Sequence, residues 1–129
     1  MTYVVDTYAL IEWFIQGNEN YKKYFETIDD KDAFVTELTV LEFYHKVFHR
    51  AGKEKADEAL DIILGNMKVI DLNLDLIKQS AMFRSQMLRE KRELSYADCV
   101  NYIAAKGLRI KLLTGDNDFK GLDNVEFVK

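Results

Sequence analysis

The octapeptide LLTGDNDF, residues 112–119, runs an apolar stretch directly into two carboxylates, Asp116 and Asp118, one residue apart. The stretch begins earlier, as IKLLT over 110–114, and reads as a short strand buried on both faces. Before it, SYADCVNYIAAKG reads as a capped helix from Ser95 to Gly107. A helix feeding a buried strand is one arm of the crossover that a parallel sheet requires. The two lengths decide which acids meet. About 12 helical residues at about 1.5 Å each make a helix near 18 Å long. The strand at 110–114 covers roughly 16 Å in the opposite direction, at about 3.3 Å per residue. Asp98, at the start of the helix, is therefore expected beside Asp116, at the end of the strand.

The same alternation runs outward through the chain. TYVVD (2–6) reads as a first strand, followed by a helix from Tyr8 to Gln16 that Gly17 closes. Tyr21, Tyr24, Phe25 and Ile28 fall at i, i+3, i+4 and i+7, so NENYKKYFETI reads as an amphipathic helix. AFVT (33–36) is a second strand, and Leu38–Arg50 a helix ended by Gly52. Ala56, Ala59, Leu60, Ile63 and Leu64 form the apolar stripe of a helix ended by Gly65. MKVI (67–70) is a third strand, with a long helix after it from about Leu74 to Glu90, and VEFV (125–128) is the last strand. With no proline in the chain, glycines do the punctuating. The expected fold is α/β, a three-layer sandwich with helices on both faces of a central parallel sheet of about five strands. No repeat or linker divides residues 1–129, which read as a single domain.

Composition narrows the function classes. A hydrophobic fraction of 48% beside 31% charged residues is that of a soluble globular protein. No apolar stretch approaches the roughly 20 residues that span a bilayer. The opening MTYVVDTYAL lacks the basic segment and cleavage site of a secretory signal, and the single Cys99 has no disulfide partner. A cytoplasmic protein without membrane attachment is expected. Net charge is −4, from 18 basic and 22 acidic residues, so a polyanionic substrate needs a local basic patch or a bound cation.

Ligands of open parallel sheets bind beyond the carboxyl ends of the strands. Asp6 ends the first strand, Glu42 lies early in the helix that leaves the second, and Asp116 and Asp118 follow the fourth. With Asp98, acids from distant parts of the chain reach one edge. Each has a local explanation. Asp6 can cap the next helix, Thr39-x-x-Glu42 and Ser95-x-x-Asp98 fit the capping-box pattern, and Asp116 and Asp118 suit a turn. Capping, however, requires no convergence on one edge. Convergence is costly, because two unit charges about 4 Å apart repel by roughly 4 kcal/mol at an effective dielectric near 20. Hard divalent ions, Mg²⁺ or Mn²⁺, relieve it with carboxylate ligands, and helix N-termini offset part of it.

Other patterns end early. Asp116-x-Asp118-x-x-Gly121 starts like a calcium loop, but Lys120 and Phe127 occupy ligand positions. Glu42-x-x-His45 has no second copy to make a di-iron site. HKVFH (45–49) lacks the glutamate of a zinc protease, so His45 and His49 read as surface or interface residues. Cys99 reads as packed against the sheet. A receiver domain needs paired acids after its first strand, where this chain has one. The basic runs HKVFHR (45–50) and FRSQMLREKR (83–92) fit either phosphate contacts or a solvated helix face. ALIEWFI and YKKYF, with Trp13, fit either core or a dimer contact.

VVDT (4–7), TELTVLEF (36–43), LSYADCVNYIAA (94–105) and LLTGDNDF (112–119) resemble, in order and spacing, the acidic blocks of PIN-domain ribonucleases, and most closely those of VapC-type toxins. The resemblance covers nearly the whole chain. It implies an RNA endonuclease that uses Mg²⁺ or Mn²⁺, held by Asp6, Glu42, Asp98 and Asp116. Asp118 matches a more variable fifth acid, and Thr7, Ser95 and Thr114 match small hydroxyl residues that orient the carboxylates. It also implies a homodimer and a small antitoxin as partner. Two other readings stay open: a PIN nuclease that processes RNA without being a toxin, and a PIN-like binding or assembly module with a silent site.

Overall fold

The computed structural model describes residues 2–27 and 33–129. Five strands, β1 (Tyr3–Val5), β2 (Ala33–Thr36), β3 (Lys68–Ile70), β4 (Lys111–Thr114) and β5 (Val125–Phe127), form one sheet in the order β3-β2-β1-β4-β5. Every neighbouring pair is parallel. Helices make the crossovers: α1 (Thr7–Leu10) and α2 (Lys22–Thr27) after β1, α3 (Glu37–Ala51) and α4 (Lys53–Asn66) after β2, α5 (Leu74–Arg89) and α6 (Tyr96–Leu108) after β3. From β1 the chain winds outward through β2 to β3. It then returns to the other side of β1 and lays down β4 and β5. The winding direction reverses between β1 and β4, and such a reversal opens a crevice at the carboxyl ends of the strands.

Side chains alternate across each strand, and the sequence supplies apolar ones for both faces. Tyr3, Val5, Ala33, Val35 and Leu113 join Leu10, Tyr21, Phe43, Val47 and Ile63 in one core layer. Val4 and Leu112 turn the other way, onto Met87, Leu94, Cys99, Tyr102 and Phe119. Val4, Val5, Leu112 and Leu113 are completely buried. Each such side chain contributes about 1.5–3 kcal/mol of transfer free energy. The edge departs from the expectation of strands covered on both faces: Lys68 is exposed and Val69 is 39% exposed. A lysine on an edge strand discourages pairing with another chain.

Helix boundaries differ from expectation where glycine was given the role of terminator. Gly17 and Gly52 have φ of 66° and 87° and do end helical segments. Gly65 instead lies inside α4, and Gly107 inside α6. The left-handed residue that turns α6 toward β4 is Arg109, φ 59°, and the turn is closed by Ile110 N–H on the Ala105 carbonyl at 3.0 Å. The first helix widens after Leu10 into a π-helical segment, Ile11–Ile15, in which Gln16 N–H reaches the Ile11 carbonyl at 2.9 Å. NENYKKYFETI begins as a 3-10 turn, Glu19–Tyr21, before α2, and Ile28 lies outside the described residues. In α4 the buried stripe centres on Ala56 and Ile63, whereas Leu64 is 48% exposed. Trp13 is half-buried and stacks on Phe25, ring centroids 5.6 Å apart, so it packs against the core. His45 and His49 are exposed on α3 with their rings stacked. No helix among the described residues is long and apolar enough to cross a membrane.

Candidate metal centre

The register of β1 on β4 pairs Val5 with Leu113, which brings Asp6 beside Thr114. Asp6 occupies the N-cap position of α1 but makes no side-chain cap hydrogen bond. Its carboxylate accepts from Asn101 Nδ2 at 2.9 Å and from Thr114 Oγ1 at 2.8 Å. Only 3% of the residue is exposed. Burial pushes its pKa up to about 6. The Thr114 hydrogen bond opposes that shift, the negative charge of Asp98 adds to it, and the Asn101 hydrogen bond opposes it again.

Asp98 is the third residue of α6 and completes a true capping box. Ser95 Oγ accepts from the Asp98 amide at 3.0 Å, and the Ser95 amide donates to Asp98 Oδ2 at 3.1 Å. Across the crevice, the Asp116 amide donates to Thr114 Oγ1 at 3.1 Å. Asp116 Oδ1 accepts from the Asp118 amide at 2.9 Å, which caps the 3-10 turn Asn117–Phe119. The local explanations for these acids are therefore correct, and the acids converge nonetheless. One carboxylate oxygen from each of Asp98, Asp116 and Asp118 lies within 4.8 Å of the other two. Burial raises the pKa of Asp98, the Ser95 hydrogen bonds oppose the rise, and the charges of Asp116 and Asp118 add to it.

Glu42 behaves differently from its motif. The N-cap of α3 is Thr36, whose Oγ1 accepts from the Thr39 amide at 3.3 Å, so the Thr39-x-x-Glu42 box does not form. Glu42 sits one turn further on, and its carboxylate accepts from Thr7 Oγ1 at 3.0 Å. Neither Asp6 nor Glu42 belongs to the close trio: Asp6 is linked to it through Thr114 Oγ1, which also accepts from the Asp116 amide, and Glu42 is linked to Thr7, the chain neighbour of Asp6. Of the small hydroxyl residues, Thr7 and Thr114 donate to carboxylates, while Ser95 accepts from the Asp98 backbone.

Asn101 was not anticipated. It is completely buried in α6, and its Nδ2 serves both Asp6 and Thr39 Oγ1, each at 2.9 Å. Its Oδ1 accepts from Thr36 Oγ1. The available signal was a lone amide within the apolar run 99–105, three residues after Asp98, because a buried amide requires partners. Gly115 has a separate role: a Cβ there would collide with the Val128 carbonyl and the Tyr8 ring. The segment after β5 lies across that glycine, with Lys129 Nζ donating to the Gly115 carbonyl at 3.2 Å. From the other side Arg92 donates to the carbonyls of Asp118 and Lys120, at 3.1 and 2.7 Å. Arg92 therefore anchors the acidic loop, and Arg84 likewise donates Nε to the Leu94 carbonyl at 3.1 Å.

The donor set of the trio is all carboxylate oxygen, which suits a hard divalent ion rather than a thiophilic one. Asp118 is exposed while Asp98 and Asp116 are half-buried, so the group opens to solvent on one side.

Comparison with known proteins agrees with this geometry. The PIN domain family model matches residues 3–125. No curated protein matches the sequence. Among solved structures, VapBC2 from Rickettsia felis bound to a promoter DNA fragment is 19% identical, covers 100% of both chains and has a TM-score of 0.82. Mycobacterium tuberculosis VapC20, described as a Sarcin-Ricin loop cleaving toxin, is 19% identical, with 99% of this chain and 100% of that chain covered and a TM-score of 0.80. A toxin–antitoxin complex from Klebsiella pneumoniae is 21% identical, with 96% and 95% covered and a TM-score of 0.75. At such identities the likeness is one of fold. The family match over nearly the whole length, on a sheet whose winding reverses at an acidic crevice, shows that this chain belongs to the PIN domain family.

Proposed function

We propose that this protein is a metal-dependent endoribonuclease that hydrolyses RNA phosphodiester bonds with Mg²⁺ or Mn²⁺, and that it is the toxin of a toxin–antitoxin pair. The observation that carries the reading is the trio of Asp98, Asp116 and Asp118 within 4.8 Å, with buried Asp6 beside it. Asp6, Glu42, Asp98 and Asp116 are the residues assigned to catalysis and metal binding, with Asp118 as a further ligand. A divalent ion supplies Lewis-acid charge for making water nucleophilic and for stabilising the leaving oxyanion. The chain's own groups prepare that chemistry. Ser95 holds Asp98 at the helix start, the Asp118 amide fixes Asp116, Thr7 orients Glu42, and Asn101 with Thr114 orients Asp6. With a net charge of −4, a cation at this edge also makes the approach of a phosphodiester tolerable.

The toxin assignment draws on a neighbour whose own description names a toxin–antitoxin complex, and a small antitoxin partner follows from it. The homodimer and the cytoplasmic location belong to the same reading and rest on the sequence resemblance alone. The decisive experiment is cleavage of a short oligoribonucleotide by purified protein with Mn²⁺, beside Asp98→Asn. Wild type is expected to cut and the variant to lose cutting while staying folded. Equal cutting by both would overturn the site. A folded wild type that cuts nothing points to a silent binding module. Growth arrest on induction, relieved by the neighbouring reading frame, separates a toxin from an RNA-processing enzyme.

A further inference from the structure

The first turn of α6 carries an aromatic ring that the core does not use. Tyr96 stands between Ser95 and Asp98 and is 70% exposed. It joins none of the core clusters, and its hydroxyl makes no hydrogen bond among the described residues. An exposed tyrosine ordinarily turns freely, but this ring is backed. The Arg84 guanidinium lies over it, with Cζ 4.4 Å from the ring centroid. Arg84 is itself held by its Nε bond to the Leu94 carbonyl, which leaves its terminal nitrogens for other partners. The ring therefore has one face fixed against a cation and one face open to solvent.

The position of the ring limits what it can receive. Tyr96 and Asp98 leave the same helical turn about 200° apart and about 3 Å apart along the axis. The two side chains thus diverge around the helix, yet both belong to its first turn and lean toward its N-terminus, so the ring stands at the rim of the acidic end and not in the trio. A strand whose phosphodiester lies at the carboxylates and which leaves over the start of α6 would pass this ring within a nucleotide or two. For an acidic protein, binding through phosphates alone is weak, since that term depends on basic residues displacing counterions. Stacking of a base on an aromatic ring does not depend on net charge.

We propose that Tyr96, backed by Arg84, is a stacking platform for one unpaired nucleobase flanking the cleaved phosphodiester. The proposal rests on the ribonuclease reading above and narrows its substrate class. A base inside an A-form duplex has both faces covered, so the platform selects unpaired RNA: loops, bulges and single strands.

The test compares wild type, Tyr96→Ala and Tyr96→Phe on an unpaired oligoribonucleotide carrying 2-aminopurine beside the cut. Steady-state cleavage is measured with Mn²⁺, and quenching of 2-aminopurine with Ca²⁺ in its place, a hard ion that neutralises the carboxylates so that RNA can approach. Tyr96→Ala is expected to raise KM on the order of 10-fold and to lose the quench, while Tyr96→Phe keeps both, because stacking uses the ring and not the hydroxyl. The variants should melt with wild type, since the side chain is exposed. Cleavage by wild type with Tyr96→Ala unchanged in KM and quench overturns the platform and leaves the nuclease standing. A loss in Tyr96→Phe equal to that in Tyr96→Ala also overturns it. Quenching lost in Tyr96→Ala, from a wild type that cuts nothing, upholds the platform and removes the nuclease. Neither cutting nor quenching by wild type removes both.

Discussion

Asp6 and the trio of Asp98, Asp116 and Asp118 lie at the same end of the sheet, a residue or two from one another through Thr114, yet their surroundings are opposites. Asp6 is buried and receives two side-chain donors, Asn101 and Thr114. Among the described residues, the trio receives only the backbone amides of Ser95 and Asp118, each already part of a helix or turn cap. One acid is met by two neutral donors that offset part of the cost of its burial. The other three press together with no side-chain cation bound to any of their carboxylates among the described residues. What differs is the expected source of compensation, neutral internal donors for Asp6 and an external ion for the trio, and each prediction below bears on that difference.

Two effects of about equal size come first, and one of them follows from supplying the external charge. Mn²⁺ at about 100 times its dissociation constant should stabilise the fold by about 2.7 kcal/mol. For a chain of 129 residues this corresponds to a rise in melting temperature of roughly 10 °C. Differential scanning calorimetry of wild type and Asp98→Asn checks it: the shift should be present in the first and absent in the second. An equal shift in both would mean that the ion binds elsewhere.

The next effect belongs to Asp6 and appears with pH rather than metal. Its pKa rises from 3.8 to about 6 on folding, mainly through burial. A carboxyl raised in the folded state imposes no penalty while both states are protonated, below about pH 4. The penalty grows as pH rises and is complete above about pH 6, at roughly 3 kcal/mol. In metal-free buffer, wild type should therefore lose about that much stability relative to Asp6→Asn between pH 4 and pH 7. Urea melts at the two pH values measure the difference. A flat difference would show that Asp6 is not the desolvated group described here.

How much of this contrast was readable beforehand follows from particular residues. The meeting of Asp98 and Asp116 was legible, because a helix and a strand of known rise must return to the same level. The five parallel strands were legible from short apolar runs spaced by helical stripes. The difference between the acids was not. It depends on the Val5–Leu113 register, which no spacing within one strand encodes, and on Asn101, whose partners Thr36 and Thr39 come from another element. Thr36 took the α3 cap that the Thr39-x-x-Glu42 pattern seemed to claim, and this freed Glu42 to face Thr7. Gly65 and Gly107 failed as terminators because an interior glycine costs only about 1 kcal/mol, which packing readily exceeds.

Removing an internal donor should weaken Asp6 without touching the trio directly. Asn101→Ala deletes the amide that serves Asp6 and Thr39, and should cost about 2 kcal/mol through unsatisfied buried groups. The Mn²⁺ shift should survive at reduced stability. If Asn101→Ala removed the metal response as fully as Asp98→Asn, the two environments would be one coupled unit.

The smallest effect separates capping from charge at Asp98, which serves both. Ser95→Ala removes the hydroxyl that accepts the Asp98 amide and should cost about 1 kcal/mol. It leaves the Ser95 backbone amide in place, so the Asp98 carboxylate keeps its only restraint among the described residues. Asp98→Asn does the reverse: an amide oxygen still accepts from Ser95, so the cap persists while the charge is gone. Ser95→Ala should therefore lower the melting temperature and retain the Mn²⁺ shift, and Asp98→Asn should do neither. The capping box accounts for where this carboxylate sits, and its charge must then be explained by what it is held against. Were Ser95→Ala to lose the metal response while Asp98→Asn kept it, Asp98 would be a helix cap that merely happens to stand beside two other acids.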